Sequence, residues 1–497
     1  MELTLIGHDY KYAVEQSMLM LYPEERPVYA AGSGERNSAV VGLRSGKEYR
    51  SIICRLHVDG VDSRGTARVK NSRITDEVTE NRLMQHAVKR AFYAAAMAAG
   101  HEKPAWGSLT GVRPGKLLLS FVDQGMSLEG ALRVLEKNYD VTPERCRLLR
   151  HTGAAALAAR KSLGPKDVCL YVDIPFCPTR CAYCSFISVE AAGSKKLIPD
   201  YLEALNRELE ALSEAVKAGG CRVVAIYIGG GTPTTLEAEQ LEALCGRLRA
   251  LFDLSACREF TVEAGRPDTI TPEKLAALQR SGVSRVSVNP QTMSDTVLEA
   301  IGRKHSGQDI FKAMELVRQA GDFDVNMDLI AGLPGDTPDQ FADSVRQLIA
   351  LKPENITVHT LALKKGSRFT LEHPDLPGAA EVGAMLENAS ALLSASGYTP
   401  YYLYRQKFMS GSFENVGWTK PGKENLYNIC IMEELTGILS AGAGGSTKLV
   451  EPGSVERIMA PKYPREYVQR IEEVCAVRAR IAEFYRRKSN GAKSIGK

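Results

Sequence analysis

The sequence has little that would tie it to a membrane, an export route or a polyanion. No apolar run approaches the roughly 18 residues that a membrane-spanning helix requires, so no segment is expected to cross a bilayer. The opening Met1-Glu2-Leu3-Thr4-Leu5-Ile6 carries no basic stretch followed by an apolar core and a small-residue cleavage site. A secretory leader is therefore not expected, and the cytoplasm is the expected location. Charge of one sign is also scarce: 63 Lys+Arg against 59 Asp+Glu leave a net charge of +4, too weak to argue for nucleic acid or membrane as the main partner. The eleven cysteines are an odd number in a chain without an export signal. They argue against a disulfide scaffold and for reduced thiols or metal ligands. With 44% hydrophobic and 25% charged residues, the composition excludes a disordered, collagen-like or coiled-coil protein. A length of 497 residues allows two to four domains.

What is present divides in two. Residues 1–165 mix an alternating stretch, Ser51–Val58, with helical patterns such as Leu83–Ala99, Ser127–Lys137 and Pro143–Lys161. They read as an α+β domain of open role. From about 166 to 365, short apolar runs alternate with amphipathic helices. The runs are Val168–Ile174, Val223–Ile228, Phe260–Ala264, Val286–Asn289, Val325–Ile330 and Ile356–Leu361. Leu202, Leu205, Leu209, Leu212 and Val216 form the apolar stripe of the first intervening helix. Six such alternations predict an α/β fold with a parallel sheet, either an open doubly wound sheet or a full or partial β/α barrel. The site is then expected at the carboxyl ends of the strands. The rhythm stops after Leu361. Residues 366–485 read as an α/β extension, with a helix near Ala380–Ser396, an aromatic strand Tyr398–Tyr404 and a Gly/Ala segment Ser440–Ser446. Residues 486–497 read as a basic, frayed tail.

The chemistry concentrates at the end of the first run, in Ile174-Pro175-Phe176-Cys177-Pro178-Thr179-Arg180-Cys181-Ala182-Tyr183-Cys184. Thiolates select soft metals, chiefly zinc and iron–sulfur clusters. Structural zinc asks for four ligands, but no histidine is near in sequence and the nearest other cysteines are Cys169 and Cys221. Three thiolates suit a [4Fe–4S] cluster with one iron left open to a chelating ligand. Three buried structural thiols and a zinc site are the competing readings. The second run ends in Tyr227-Ile228-Gly229-Gly230-Gly231-Thr232-Pro233-Thr234, where glycines permit close approach of a ligand or simply make a tight turn. It lacks the Gly-Lys-Ser/Thr of a phosphate loop, which excludes a nucleoside triphosphatase. Glu263, Gln291 and Asp328 stand at the ends of later runs, where polar groups need partners or a ligand. Arg303 reads as a helix-end cation or a ligand contact. His359 lies inside a strand and reads as a core residue or an axial ligand.

The C-x3-C-x2-C spacing is the signature of the radical S-adenosylmethionine (SAM) superfamily, and the chain resembles one branch of it closely. That branch is the oxygen-independent coproporphyrinogen III oxidase (dehydrogenase) family, in particular its HemZ-type members. The likeness includes Leu109–Leu117, Val262–Thr271, Asp328–Pro334, Pro400–Lys407 and Asn425–Ile429. It implies a partial (β/α)6 radical SAM barrel with an N-terminal α+β domain and a C-terminal extension that covers the substrate. It also implies that Cys177, Cys181 and Cys184 hold a [4Fe–4S] cluster whose fourth iron binds SAM. Gly230, Gly231 and Thr232 would face the methionine part of SAM. Glu263, Gln291, Arg303 and Asp328 would line the rest, and Tyr171 would approach the cluster side. Reductive cleavage of SAM to a 5′-deoxyadenosyl radical would then drive decarboxylation of two propionates of coproporphyrinogen III to vinyls, giving protoporphyrinogen IX. The partners so implied are the tetrapyrrole and an electron donor such as flavodoxin or ferredoxin, with neither nucleic acid nor membrane. Arginine is the natural clamp for a propionate, which singles out Arg405 and Lys407 beside Tyr401, Tyr402 and Tyr404 as substrate contacts. A solvated surface strand is the competing reading there. The chain departs from the better-known dehydrogenases in having Asp173 where they have histidine, and Phe186 where they have a fourth cysteine. The alternatives are a haem-binding carrier of the same family and a radical SAM enzyme acting on another tetrapyrrole.

Overall fold

The structure, a computed structural model, describes residues 1–29, 37–186, 188–194, 196–364, 366–406 and 410–494. It divides into two compact units, Met1–Arg150 and His151–Lys497. The division falls within the helix Pro143–Ser162.

The first unit carries a four-stranded sheet of β1 (Glu2–Ile6), β2 (Ser38–Ser45), β3 (Tyr49–Val58) and β4 (Val61–Lys70), in that order. β1 runs parallel to β2, and the other pairs are antiparallel. Period-two alternation buries Ile52, Cys54 and Leu56 of β3. They pack in one core with Val14 and Met18 of the helix Lys11–Leu21 and with Met84, Val88 and Phe92 of the helix Glu77–Ala98. Asp76 caps the longer helix by accepting from the Thr79 amide at 2.8 Å.

In chain order, the strands of the second unit begin with β5 (Asp167–Ile174) and the two-residue β6 (Phe176–Cys177) and β7 (Val189–Glu190). Then come β8 (Arg222–Gly230), β9 (Glu259–Glu263), β10 (Arg285–Ser287), β11 (Asp324–Ala331) and β12 (Asn355–Thr360). The extension adds β13 (Thr399–Arg405), β14 (Glu414–Thr419), β15 (Gly437–Ala441), β16 (Ser446–Glu451) and β17 (Ser454–Met459). All except β6 and β7 belong to one sheet of order β13-β14-β12-β11-β10-β9-β8-β5-β15-β16-β17. The six runs expected to be parallel strands are β5 and β8–β12, and they pair in sequence order. Their apolar character follows from burial on both faces. Crossover helices are started by local signals: Thr271 and Thr337 cap helices that have proline at the first position, and Ser306 closes a capping box with Asp309.

The extension does more than continue past β12. β14 and β13 add antiparallel strands to one end, whereas β15 returns to the other end and lies parallel to β5. The Gly/Ala segment Ser440–Ser446 thus ends a seventh parallel strand and makes the tight turn into β16. Residues 486–494, expected to fray, continue the helix Ala479–Ser494.

A buried ion pair fastens this last helix to the sheet. Glu208, in the helix Leu197–Gly219, is fully buried and accepts from Arg478, itself 1% exposed. Its second carboxylate oxygen accepts from Tyr467 Oη and, at 2.8 Å, from the Gly442 amide just beyond β15. Tyr201 Oη completes the knot by donating to the Asp173 carbonyl at 2.7 Å and accepting from the Ala443 amide at 3.0 Å. Replacing Glu208 by Ala leaves Arg478 buried without its counter-charge, a change that costs about 3–5 kcal/mol. The denaturant midpoint of the second unit should fall accordingly, and an unchanged midpoint would contradict the assignment.

Candidate functional site

The carboxyl ends of the parallel strands bring the expected residues together. β5 ends at Ile174, and the chain enters the cysteine loop through β6, which pairs with β7 beyond it. The glycine-rich turn after β8 is stitched to this loop: Gly231 N donates to the Ile174 carbonyl at 2.9 Å and Thr232 N to the Phe176 carbonyl at 2.7 Å. A Cβ on Gly231 would lie 2.6 Å from the Phe176 carbonyl oxygen, so close backbone packing requires glycine there. Gly230 has φ +107°, and its Cβ would strike the Asp173 carboxylate at 2.2 Å.

The three thiols lie within electrostatic reach of one another at the base of this turn, and among the described residues no three such side chains are drawn together as closely as metal ligands. Burial raises Cys177, and it pushes Cys184 up to about 11. Several groups oppose that effect and favour thiolates. Thr232 Oγ1 donates to Cys177 Sγ at 3.6 Å, and Arg303 hydrogen-bonds Cys181. Arg266 acts on Cys177, and Arg180 on Cys184. Three neighbouring thiols surrounded by cations fit a cluster of net negative charge held by three cysteines. Arg303 is buried, donates to the Asn289 carbonyl at 2.5 Å and to Tyr183 Oη at 3.2 Å, and so links the cysteine loop to the segment after β10. Ala182 N donates to the Ile301 carbonyl at 3.0 Å and reinforces the same link.

The carboxylates stand on alternate strands of the sheet, Asp173 on β5, Glu263 on β9 and Asp328 on β11. Asp173 is pushed up to about 8 by burial, with the charge of Glu263 adding to the effect. Burial also raises Glu263 to about 7, against hydrogen bonds from Tyr227 and the Gly230 amide. Asp328 goes the other way. Burial would raise it, but hydrogen bonds and charge from His359, with Asn326 and Thr357, hold it below the ordinary value. Asn326 Nδ2 donates to Asp328 Oδ1 at 2.8 Å, and His359 Nε2 lies 3.8 Å from Oδ2. Gln291 bridges toward β11, donating its amide to the Asp328 carbonyl at 2.9 Å. It adopts φ +71°, a conformation that a non-glycine residue holds only under constraint, and its buried Oε1 has no hydrogen-bond partner.

Tyrosines line the same face. Tyr171, Tyr227 and Tyr427 form a stack, with centroids 6.2 Å apart for Tyr171–Tyr227 and 4.5 Å for Tyr227–Tyr427. Tyr171 donates to Asp173 at 3.1 Å and Tyr227 to Glu263 at 2.5 Å. Tyr402 and Tyr404 stack at 6.4 Å on β13, and Tyr402 Oη meets Thr357 Oγ1 at 3.3 Å. Tyr401, Tyr402 and Arg405 are buried, so β13 is not the solvated strand that its charges allowed. The Arg405 guanidinium donates to the Ser412 carbonyl at 2.8 Å. Lys407 lies outside the described residues.

Sequence reasoning did not single out Tyr227, Asn326 or Thr357, nor the part Tyr427 plays in the stack. The first three could have been found by period two, since Tyr227 precedes Gly229, Asn326 precedes Asp328 and Thr357 precedes His359 on the same strand faces. Tyr427 arrives from a helix far along the chain and left no such signal.

Residues 171–348 match the sequence profile of the radical SAM superfamily, whose members bind a [4Fe–4S] cluster and S-adenosylmethionine. The fold is shared with the radical SAM coproporphyrinogen III oxidase HemN of Escherichia coli, at TM-score 0.52 and 24% identity over 64% of this chain and 72% of that one. The chain is 41% identical over 374 residues to the oxygen-independent coproporphyrinogen-III oxidase-like protein HemZ of Bacillus subtilis, covering 74% of this chain and 75% of the relative. It is 30% identical to the heme chaperone HemW of Escherichia coli over 60% of this chain and 75% of that one. The chain belongs to the oxygen-independent coproporphyrinogen-III oxidase-like family of radical SAM proteins. Among the described residues, no helix is long and apolar enough to cross a membrane.

The raised carboxylates give a pH test on metal-free protein. A carboxyl group that binds its proton more tightly when folded stabilises the fold fully below its unfolded value of about 4. That contribution is lost as pH rises through about 8 for Asp173. Melting temperature should therefore fall between pH 5 and pH 9, and less steeply in Asp173→Asn. Identical slopes in the two proteins would refute the burial of this carboxyl group.

Proposed function

We propose that the protein carries out radical oxidative decarboxylation of two propionates of coproporphyrinogen III to vinyls, yielding protoporphyrinogen IX for haem synthesis. The observation that carries this reading is the junction of two linings on one sheet: three cation-flanked thiols at the strand ends, and tyrosines beside paired carboxylates. The relationship to HemZ across three quarters of both chains supports it.

Cys177, Cys181 and Cys184 hold the cluster in this reading. Glycines 230 and 231, with Thr232, offer backbone to the amino acid end of SAM. Arg303 supplies a buried cation for its carboxylate. Gln291 Oε1, unpartnered in the protein, accepts from a ligand donor. Asp328 stays ionised and accepts hydroxyl groups, while Glu263, near neutral pH, supplies a proton-bearing oxygen at the same mouth. Two carboxyl groups held apart in this way perform opposite hydrogen-bonding roles. Tyr171 closes the cluster side. Once bound, the cluster and SAM supply a carbon-centred radical able to abstract hydrogen from a propionate side chain. The chain's own task is to exclude water, orient the substrate and neutralise its propionates, which falls to Arg405 and the tyrosines of β13. An electron donor protein such as flavodoxin or ferredoxin supplies the reducing electron, and the electron released with each CO2 passes to a one-electron acceptor. A haem carrier is the second reading, favoured by the relatives named heme chaperones and by His359, whose ring is 26% exposed beside Asp328.

Anaerobic protein reconstituted with iron and sulfide, then given SAM, a reductant and coproporphyrinogen III, should release 5′-deoxyadenosine and a product lighter by two CO2 and four hydrogen atoms. Deoxyadenosine without decarboxylation would reassign the substrate. Stable haem binding without either product would favour the carrier. Arg405→Ala should raise the KM for the tetrapyrrole about tenfold or more, as loss of a charged carboxylate contact does, with iron content unchanged. An unaltered KM would remove Arg405 from the substrate site.

A further inference from the structure

A second cluster of charge, separate from the thiol site, lies in the first unit. Arg82, His86 and Arg90 stand at i, i+4 and i+8 on the helix Glu77–Ala98, so they share one stripe, and Lys89 adjoins it. Arg73, from the turn Asn71–Arg73, faces the same place, since its charge acts on both His86 and Tyr139. Tyr139, the last residue of the helix Leu128–Tyr139, lays its ring 4.4 Å from that of His86. Four cations therefore converge on one pair of rings. Among the described residues none of the four is ion-paired, and the acid nearest in sequence that forms a pair, Glu80, is taken by Arg50. Lys89 is half-buried, and that burial depresses its ammonium. His86 Nε2 is buried with no hydrogen-bond partner.

Three exposed arginines, a half-buried lysine and an unpartnered ring nitrogen are thus gathered at one place, open to a ligand from solvent. We propose that Arg73, Arg82, Lys89 and Arg90, with His86 and Tyr139, bind a phosphate-bearing ligand. A lone carboxylate would leave most of the positive charge unbalanced. A phosphate group brings about −1.5 to −2 charges and three strong acceptor oxygens, which suit the forked guanidinium donors. Burial pushes His86 down to about 4, with Arg90, Lys89 and Arg73 adding to the effect, so its ring is neutral at pH 7 and contributes hydrogen bonding rather than charge. This inference stands apart from the radical chemistry, because no residue of the thiol site takes part.

The full-length protein would be titrated calorimetrically with inorganic pyrophosphate and, separately, with a short single-stranded RNA at low salt. Saturable binding of pyrophosphate that RNA does not displace identifies a small phosphate compound. Saturable binding of RNA, weakening with salt, identifies a nucleic-acid backbone. In either arm, Arg82→Glu with Arg90→Glu should weaken binding at least about tenfold, whereas Arg82→Lys with Arg90→Lys should largely retain it. Arg73→Glu, outside the helix, should weaken binding too, and it guards against misfolding of the double variant. Absence of binding by both probes, or binding undiminished by charge reversal, would overturn the proposal.

Discussion

Carboxyl groups taken out of water at the ends of parallel strands are the constraint on which the site depends. The charge of Glu263 raises Asp173, that of Asp328 raises Glu263, and burial pushes all three upward. The protein answers with a different partner for each. Tyrosine hydroxyls serve Asp173 and Glu263, while His359 and Asn326 keep Asp328 ionised. The result is a mouth with graded proton affinity, flanked on one side by thiols of which burial raises Cys177 and Cys184.

The scaffold that holds this mouth is built from distant parts of the chain. Asp173 leads from β5 into the cysteine loop, and its carbonyl is fixed by Tyr201, which also receives the Ala443 amide. Glu208 anchors the same turn and the last helix through Arg478. The C-terminal strands therefore do more than cover the sheet. β15 supports β5 from one side, while β13 and β14 extend the tyrosine lining from the other. Removing one partner of such a buried pair costs far more than replacing both by apolar side chains.

The six parallel strands were legible because their apolar runs and intervening helical stripes follow simple periods. The cysteine loop, the glycine turn and the strand-end acids were legible because each sits where such a fold exposes side chains to a ligand. The C-terminal extension was legible only in part: the expected helix and aromatic strand stand as Ala379–Ala395 and Thr399–Arg405, but the return of the chain to the far end of the sheet was not foreseen. Gly437–Ala441 is five residues of mostly small side chains, and only its pairing with β5 makes it a strand. Strand β13 carries Arg405 beside three tyrosines, a pattern equally suited to a surface strand, and its burial is set by tertiary neighbours. The tyrosine stack escaped for a similar reason, since Tyr427 reaches it from a helix more than 250 residues beyond Tyr171.

The central claim is that radical chemistry is directed at the propionate side chains of a porphyrinogen. It is tested most directly by supplying coproporphyrinogen III deuterated at the propionate β-carbons to the anaerobically reconstituted protein and measuring the mass of the 5′-deoxyadenosine released. The account predicts deuterium in the deoxyadenosine, in step with loss of CO2. Deoxyadenosine formed without deuterium, in the presence of bound substrate, would contradict it.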